Sequence, residues 1–349
     1  MKKWLISITT VVLVIAIVSF AGYHYVLKQI HGTVAEETFE LTIEQGEPLR
    51  QVLSELEDKG LVGNAGWRYI YMRFKQPDFT YQAGDYLIEE GTSLDEALQK
   101  FQKGDVIDHS LKVTIPEGWT VEQIIDRLVE EDVGDKETFN NLFYSKDYYE
   151  QKQEQFTFLP PLTDDIKSPF EGYLFPDTYT FHDRMTEEEM VEQMLAQTAR
   201  VVDKLASENP RMSEALPQMF TLASIVEKET KVSEERPRVA GVFYNRLEQD
   251  WKLEADSTVQ YALEERKERL LYKDLEIDDP YNTYVYDGLP PGPIASPGLS
   301  SLEAVLNPEQ NDFLFFVTKK DGSETHYFAK TFDEHKQNRA KSEAHAQKQ

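Results

Sequence analysis

The stretch Leu222–Thr230, LASIVEKET, decides how this chain is organised, because it is a short apolar run that ends in two glutamates. As a helix turning by about 100° per residue, it places Glu227 and Glu229 at the borders of a broad buried face and points Lys228 away. That face consists of Leu216, Met219, Leu222, Ala223, Ile225 and Val226. A carboxyl at the wet edge of an apolar wall is partly desolvated, which suits a proton donor. The stretch indicates an acid at position 227 or 229, although a helix with a charged last turn would look the same.

The N-terminus predicts a membrane anchor. The sequence from Trp4 to Leu27 is apolar and long enough to span a bilayer as a helix of about 20 residues, and Lys2 and Lys3 precede it. The positive-inside rule then places the N-terminus in the cytoplasm and everything after Lys28 outside. A cleavable signal peptide is the rival, but residues 19–22 make a poor cleavage site and the apolar part is longer than usual. We therefore expect an uncleaved, single-pass anchor in the cell membrane.

Composition and spacing exclude several kinds of chemistry. With 349 residues and no cysteine, the chain has room for two or three units but no disulfide or thiolate. A net charge of −26 argues against nucleic acid as a partner. The seven histidines are scattered and no phosphate-binding glycine loop is present, so we expect neither metal nor cofactor. A serine–lysine peptidase using Ser224 and Lys228 is the weak alternative, since these residues share a helix face only loosely.

A strand–turn–helix pattern occurs three times in the first part of the chain. The pieces TIEQG, LIEEG and TIPEG each end on a glycine that suits a tight turn with positive φ: Gly46, Gly91 and Gly118. Two of the helices that follow begin with a capping box: Ser93 with Glu96, and Thr120 with Gln123. These units could be carbohydrate-binding modules or spacers that hold the rest of the chain away from the bilayer, and the pattern favours neither.

The chain beyond residue 130 predicts a helical domain with irregular loops. The segment EGYLFPDTYTF, Glu171–Phe181, is broken by Pro176 and cannot be an ordinary helix, and its rings suit a core or a sugar-binding face. The remaining expectations are a helix and a loop up to Asp165, helices at Thr186–Ala206 and Glu235–Leu247, a rigid loop over 281–298, a hairpin at Asp321-Gly322 and a C-terminal helix from about His335.

Carboxylate chemistry is what remains for a tethered, outward-facing enzyme, and a polysaccharide is its natural target. Glycoside hydrolysis normally needs two carboxyls across the scissile bond, and Asp177, Glu254 and Asp256 are candidates for a partner of Glu229. An arginine beside a carboxylate holds it ionised, so the acid should avoid the arginines of the 235–247 helix.

Six segments, in this order, resemble the endolytic murein transglycosylases of the MltG or YceG-like family: EGYLFPDTY, LASIVEKET, ERPRVAGVFYNRL, LEADSTVQY, YNTY and GLPPGPIASPG. The resemblance implies cleavage of the β-1,4 bond between N-acetylmuramic acid and N-acetylglucosamine within glycan strands, leaving a 1,6-anhydromuramic end. It matches Glu229, the second glutamate of E-K-E, to the catalytic residue, and it implies that the strand–turn–helix units are LysM-like. In such a reaction one carboxyl can serve as acid and then base, because the attacking group is the C6 hydroxyl of the muramic residue.

The further site residues suggested by the resemblance are Glu227, Asn245, Asp256, Tyr281, Asn282 and Thr283. The family often reads Q-T-D-P where this chain reads Glu254-Ala255-Asp256-Ser257. That departure puts any role of Glu254 in doubt. Periodicity alone does not choose Glu229 over Glu227.

We therefore predict an α+β protein in which a single transmembrane helix precedes LysM-like strand–helix units and a mixed α/β catalytic domain. The expected boundaries are 1–3 for a cytoplasmic N-terminus, 4–27 for the transmembrane helix, 28–37 for a linker, 38–108 for the LysM-like region, 109–165 for the third unit and a connecting segment, and 166–345 for the catalytic domain.

The predicted function is a lytic transglycosylase that terminates nascent peptidoglycan strands beside the synthases, the penicillin-binding proteins of the elongation machinery. Two alternatives stay open. One is a muramidase-type hydrolase with a second carboxylate, and the other is a non-catalytic, membrane-anchored scaffold that binds the wall.

Overall fold

The computed structural model describes the backbone of residues 2–209, 216–263 and 265–347, and within these ranges the side chains from Leu13 onward. The chain divides into two compact units, Met1–His109 and Ser110–Gln349. Both mix helices with two-stranded antiparallel pairings. The mixed α and β content that the sequence predicts is confirmed.

The first unit starts with a long helix and continues as helices packed on one strand pair. Its elements are α1 (Lys2–His31), β1 (Phe39–Ile43), α2 (Leu49–Asp58), α3 (Ala65–Lys75), β2 (Gly84–Ile88) and α4 (Leu94–Lys103). β1 and β2 pair antiparallel, with Phe39 opposite Ile88. Alternate residues of β1 are buried against the apolar faces of α2 and α4, as a strand with one covered face requires.

Helix α1 covers the whole of the predicted span and continues four residues beyond it, to His31. Among the described side chains, Leu13–His31 is the one helical stretch long and apolar enough to cross a bilayer, a test that a signal sequence also passes. The end of α1 is bonded to its own unit, because the buried guanidinium of Arg68 donates to the Ile30 carbonyl at 3.0 Å and to Asp95 at 2.7 Å.

The turns and caps of the three strand–turn–helix patterns form as expected. Gly46, Gly91 and Gly118 have φ of 81°, 85° and 74°, and both capping boxes are present. The strand of the third pattern, Ser110–Thr114, nevertheless pairs with Thr178–His182 and lies in the second unit. Sequence likeness between the patterns reports local turn geometry, not the choice of strand partner. The LysM-like assignment stays a prediction.

The second unit is mainly helical. Its elements are β3 (Ser110–Thr114), α5 (Val121–Glu130), α6 (Lys136–Phe143), α7 (Lys146–Gln155), β4 (Thr178–His182), α8 (Glu187–Glu208), α9 (Leu216–Glu229), α10 (Arg236–Glu248), α11 (Asp256–Ala262), α12 (Leu299–Leu306), β5 (Phe315–Thr318), β6 (His326–Ala329) and α13 (Phe332–Ala346). The predicted helices at 186–206 and 235–247 and the hairpin at Asp321-Gly322 are confirmed.

The region before residue 165 corrects one expectation. The sequence predicted a helix and a loop, whereas the structure has two helices, α6 and α7. Each starts at its own capping side chain, Asp135 accepting from the Thr138 N–H and Ser145 from the Tyr148 N–H. An N-cap satisfies an otherwise unpaired helix N–H, so a second cap ten residues after the first begins a new helix.

Helix α9 is the centre of the second unit. The sequence predicted one buried face, but every residue from Met219 to Val226 is buried, with α10 and α12 packed against the helix. The two hydroxyl residues on its other sides tolerate burial because Thr221 donates to the Pro217 carbonyl and Ser224 to the Thr221 carbonyl. The glutamates at its C-terminal end are therefore carried by a rigid element.

The aromatic segment after Glu171 is part of the same core. Tyr173, Phe175, Tyr179 and Phe181 are all buried, so these rings hold the domain together. Of the two interpretations that the sequence allowed for them, the core interpretation is correct.

Candidate active site

Glu229 is the last residue of α9, and its carboxyl is held by the first turn of α11. Its Oε1 accepts from the Ser257 hydroxyl at 2.7 Å and from the Ser257 N–H at 3.4 Å. Burial raises the pKa of the Glu229 carboxyl and the negative charge of Asp256 adds to the rise, while the Ser257 hydrogen bonds and the charge of Arg246 oppose it. A carboxyl that keeps its proton to higher pH is suited to donating it.

A cavity of about 260 Å³ opens on this carboxyl, and we call it the Glu229 cavity. It is lined by Glu229, Phe243, Arg246, Leu253, Glu254, Ala255, Asp256, Tyr284, Phe315, Phe316, Phe332 and His335. Asp256 accepts a hydrogen bond from the Tyr284 hydroxyl at 2.7 Å. Arg246 donates to the Leu253 carbonyl at 2.9 Å and pairs with Glu254 at 3.3 Å. The cavity therefore combines one protonatable acid, two further carboxylates and aromatic walls.

Glu227 has a different environment. Its side chain is 6% exposed, and one oxygen accepts from the equally buried Arg236 at 2.7 Å. The other oxygen accepts from the Gly298 N–H at 3.0 Å and from the Ser301 hydroxyl at 2.8 Å. Both oxygens are thus occupied by protein donors, and the residue lines neither cavity described here. The geometry distinguishes the two glutamates that periodicity could not.

A second cavity, of about 330 Å³, is lined by Ser257 and Glu171, and we call it the Glu171 cavity. Its lining is Thr120, Glu122, Gln123, Tyr144, Lys167, Ser168, Glu171, Lys228, Ser257, Gln260, Tyr261, Leu263, Arg266 and Ile294. Ser257 thus lines this cavity while bonding to the acid that lines the other.

Glu171 is a buried acid that sequence analysis missed. Only 3% of the residue is exposed. Burial raises the pKa of its carboxyl to about 8, against hydrogen bonds from the Val121 N–H and the Tyr261 hydroxyl and the charge of Lys228. Tyr261 stands four residues after Ser257 on α11, so one face of that helix contacts both buried acids. A single glutamate before an aromatic run carries no sequence sign of such burial.

Most of the other predicted site residues use their side chains for hydrogen bonds that hold neighbouring loops in place. Asn245 donates to the carbonyls of Asn311 and Phe313 at 2.9 Å. Tyr281, Asn282 and Thr283 are buried. Asn282 donates to two carbonyls of the preceding loop, and the Thr283 hydroxyl accepts from the Ala255 N–H at 3.1 Å. Of the residues predicted to contact the substrate, only Glu229 and Asp256 line either of the two cavities described here.

Of the candidates for a second carboxylate, two share a cavity with Glu229. Asp256 and Glu254 line it, whereas Asp177 lines neither cavity and accepts from Gln197 at 2.7 Å. Ser224, the candidate nucleophile of the peptidase alternative, is fully buried and accepts from the Ile294 N–H. Across the described residues, no group of three or more His, Asp or Glu side chains is arranged to hold a metal ion.

Replacing Glu171 with Gln is expected to remove a pH-dependent loss of stability. Because the folded-state pKa lies above the value of 4.5 for an exposed glutamate, the folded wild type binds a proton that the unfolded chain releases. Its stability therefore falls as pH rises through this window. Relative to Glu171→Gln, wild type should lose about 2–4 kcal/mol between about pH 5 and about pH 9.

The measurement for Glu171 is urea unfolding of both proteins across that pH range. Glu122→Gln, on the exposed rim of the same cavity, is the matched control. The difference in unfolding free energy between Glu122→Gln and wild type should change by less than about 0.5 kcal/mol across this pH range. A difference between wild type and Glu171→Gln that stays constant with pH would contradict the prediction.

Comparison with known proteins gives consistent matches. The profile of the YceG-like family matches residues 41–341. The chain is 35% identical over 313 residues to the endolytic murein transglycosylase of Bacillus subtilis, covering 88% of this chain and 85% of that protein. It is 29% identical over 358 residues to the endolytic murein transglycosylase of Streptococcus pneumoniae, covering 97% of this chain and 64% of that one. A crystal structure of a yceG-like protein from Listeria monocytogenes superposes with a TM-score of 0.62 at 34% identity, covering 86% of this chain and 99% of that one.

Proposed function

The chain belongs to the YceG-like family, and on that premise we propose that it is a lytic transglycosylase that cuts peptidoglycan strands internally with Glu229 as its acid and base. The observation that carries the proposal is the position of the Glu229 carboxyl. It is partly dehydrated, lines the Glu229 cavity, and is held by Ser257, which lines the Glu171 cavity.

One carboxyl is enough for the proposed reaction. Protonated Glu229 donates to the glycosidic oxygen as the bond between it and C1 of N-acetylmuramic acid breaks, and N-acetylglucosamine leaves as the free alcohol. The C6 hydroxyl of the same muramic residue then attacks C1 and gives its proton to the Glu229 carboxylate. The products are a 1,6-anhydro end and an enzyme with its proton restored, without consumption of water.

Ser257 has a defined role between those two steps. Its hydroxyl and N–H both reach Glu229 Oε1, so they stabilise the carboxylate that exists after the first proton transfer. They also fix the direction in which the other carboxyl oxygen points. The hydroxyl of Ser257 is itself fixed by the first turn of α11, so the geometry does not depend on a mobile loop.

The pair of cavities suits cleavage inside a strand. An enzyme that cuts internally must hold sugars on both sides of the broken bond, and here one cavity is lined by the acid and a second by its serine partner. The aromatic residues of the Glu229 cavity offer flat apolar surface to sugar rings.

The muramidase alternative is supported by one specific observation. Asp256 lines the Glu229 cavity and its charge acts on Glu229, so it is a candidate base for activating a water molecule. A digest in ¹⁸O-labelled water separates the two reactions. We expect anhydromuramic ends without label, and labelled reducing ends would establish hydrolysis instead.

The same digest tests whether Asp256 acts as a second catalytic carboxylate. If the reaction is transglycosylation, Asp256→Asn should retain anhydro products, with a rate lowered by no more than about tenfold, the scale of a lost charge effect rather than a lost base. Asp177→Asn makes the same chemical change outside both cavities and is the control, for which we expect the wild-type rate. Complete loss of turnover in Asp256→Asn alone would favour the two-carboxylate hydrolase.

The proposed cellular setting follows from the anchor and the substrate. We place the protein in the cell membrane through α1, N-terminus inside, with Glu229 outside and acting on nascent strands near the penicillin-binding proteins that make them. Such cuts would end strand elongation. A scaffold that only binds the wall would keep its cellular role after Glu229→Gln, so complementation of a deletion strain by that variant distinguishes the two.

A further inference from the structure

The Glu171 cavity has a charge opposite to that of the protein. The chain carries a net charge of −26, yet three basic residues line this one cavity: Lys167, Lys228 and Arg266. Lys167 is already paired with Asp279 at 2.8 Å. The ammonium of Lys228 donates one hydrogen bond to the Gly118 carbonyl at 3.0 Å, so two of its N–H donors remain for a ligand. In so acidic a chain, converging cations indicate a site for an anion.

The acids of the cavity do not neutralise these cations. Glu171 is mostly protonated near neutral pH, because burial raises its pKa to about 8. Glu122 is the other acid in the lining, and it lies on the exposed rim. Burial and then the charge of Arg266 lower the pKa of Lys228, and they outweigh the charges of Glu227 and Glu171, which act to raise it. An anion bound between Lys228 and Arg266 would remove the repulsion between these two cations.

An unpaired hydroxyl also points to a ligand. Ser168 lines the cavity and is 5% exposed, and its Oγ has no hydrogen-bond partner among the described residues. Buried polar atoms are nearly always satisfied, so an exception in a cavity calls for a partner that binds there. A hydroxyl in the same cavity lining as two cations would complete a set of donors for a carboxylate.

We propose that the Glu171 cavity binds the peptide carried by the muramic residue at the scissile bond, with a peptide carboxylate held by Lys228, Arg266 and Ser168. The proposal rests on the proposed function. The sugars of a peptidoglycan strand are neutral, so its negative charge is carried by carboxylates of the peptide. Ser257 joins this cavity to Glu229, which puts the substituent of a bound muramic residue within reach, and about 330 Å³ suits a short peptide segment.

The consequence is a preference for strands whose peptides carry free carboxylates. The test compares kcat/KM of the full-length protein on peptide-bearing strands with kcat/KM on the same strands after their peptide carboxylates have been converted to carboxamides. Arg266→Gln should lower the ratio of the two values about tenfold or more, the effect of losing one charge-assisted hydrogen bond. Arg269→Gln removes the same charge from an exposed position outside the cavity and should leave the ratio unchanged.

Two results would overturn the proposal. If Arg266→Gln lowers both values equally, the cavity is a further sugar subsite. If wild type shows no preference for strands with free peptide carboxylates, the cations do not bind the peptide carboxylate.

A binding measurement keeps the proposal testable even if the protein cuts neither substrate. Calorimetry with a soluble muramyl peptide bearing a free carboxylate, and with its carboxamide analogue, measures recognition without turnover. The carboxylate form should bind about tenfold tighter or more, and both raised salt and Arg266→Gln should reduce that advantage. Equal affinity of the two ligands for wild type would refute a carboxylate site, whatever the fate of the proposed reaction.

Discussion

Glu229→Gln is expected to lower the rate of glycan cleavage by about a thousandfold or more, because the amide can neither donate the proton to the leaving oxygen nor accept one from the C6 hydroxyl. The variant should keep its structure. The remaining carbonyl oxygen can still accept from Ser257, whose N–H and hydroxyl reach a single carboxyl oxygen. Burial already favours the neutral form of Glu229, so the uncharged amide costs little stability.

The measurement is the release of soluble fragments from purified strands under single-turnover conditions. Thermal unfolding and strand binding of each variant are measured in parallel. Glu234→Gln is the matched control, since it makes the same change at an exposed residue five positions later. It should retain the wild-type rate. Fragment release by Glu229→Gln at the wild-type rate would remove Glu229 from the mechanism, and with it the proposed function.

Local signals in the sequence predicted local structure well. The capping pairs Ser93 with Glu96 and Thr120 with Gln123 begin helices as expected, and the glycine turns adopt positive φ. These outcomes depend on residues within one turn of each other, so they are readable from a single sequence. The family resemblance added the assignment of Glu229 rather than Glu227 as the candidate acid, which periodicity had left open.

Features that depend on distant residues were not predictable. β3 pairs with β4 across more than sixty positions, and no local pattern encodes that partner. The burial of α9 on all sides depends on α10 and α12, which follow it in the chain. Strand partners and the burial of a helix are decided by tertiary packing, which overrides the local preference of a segment.

The same limit applies within the candidate site. Ser257 is an ordinary serine in sequence, and its role arises because α11 places it 2.7 Å from Glu229. Glu171 acquires its raised pKa from burial, and the groups that contact its carboxyl, the Val121 N–H and the Tyr261 hydroxyl, are distant from it in sequence. Residue type and spacing could narrow the search to carboxylates, but desolvation is a property of the folded surroundings.

Glu227→Ala should destabilise the second unit by about 3–5 kcal/mol, because it leaves the guanidinium of Arg236 buried without its closest carboxylate. Arg236 and Glu227 have side chains that are each 6% exposed and lie 2.7 Å apart. Glu117, the other carboxylate near Arg236, is at 3.5 Å and 47% exposed, so it can compensate only in part.

Loss of the Glu227 carboxylate should also loosen the start of α12. Gly298 is the N-cap of that helix and has no side chain to accept the free N–H groups. Glu227, from another helix, instead holds the N-cap residue and the first turn in place, accepting from the Gly298 N–H and the Ser301 hydroxyl. A carboxylate at a helix N-terminus is favoured by the helix dipole as well. We therefore expect faster amide hydrogen exchange at the start of α12 in the variant.

Chemical unfolding of wild type, Glu227→Ala, Arg236→Ala and the double variant gives the coupling between the two residues. The double variant should lose less unfolding free energy than the two single variants lose together. Each single change leaves one buried charge without its partner, whereas the double change removes both charges. Glu234→Ala, exposed and close in sequence, should change stability by no more than about 0.5 kcal/mol. If Glu227→Ala instead folded as stably as wild type while losing turnover as completely as Glu229→Gln, the assignment of the acid to position 229 rather than 227 would have to be reversed.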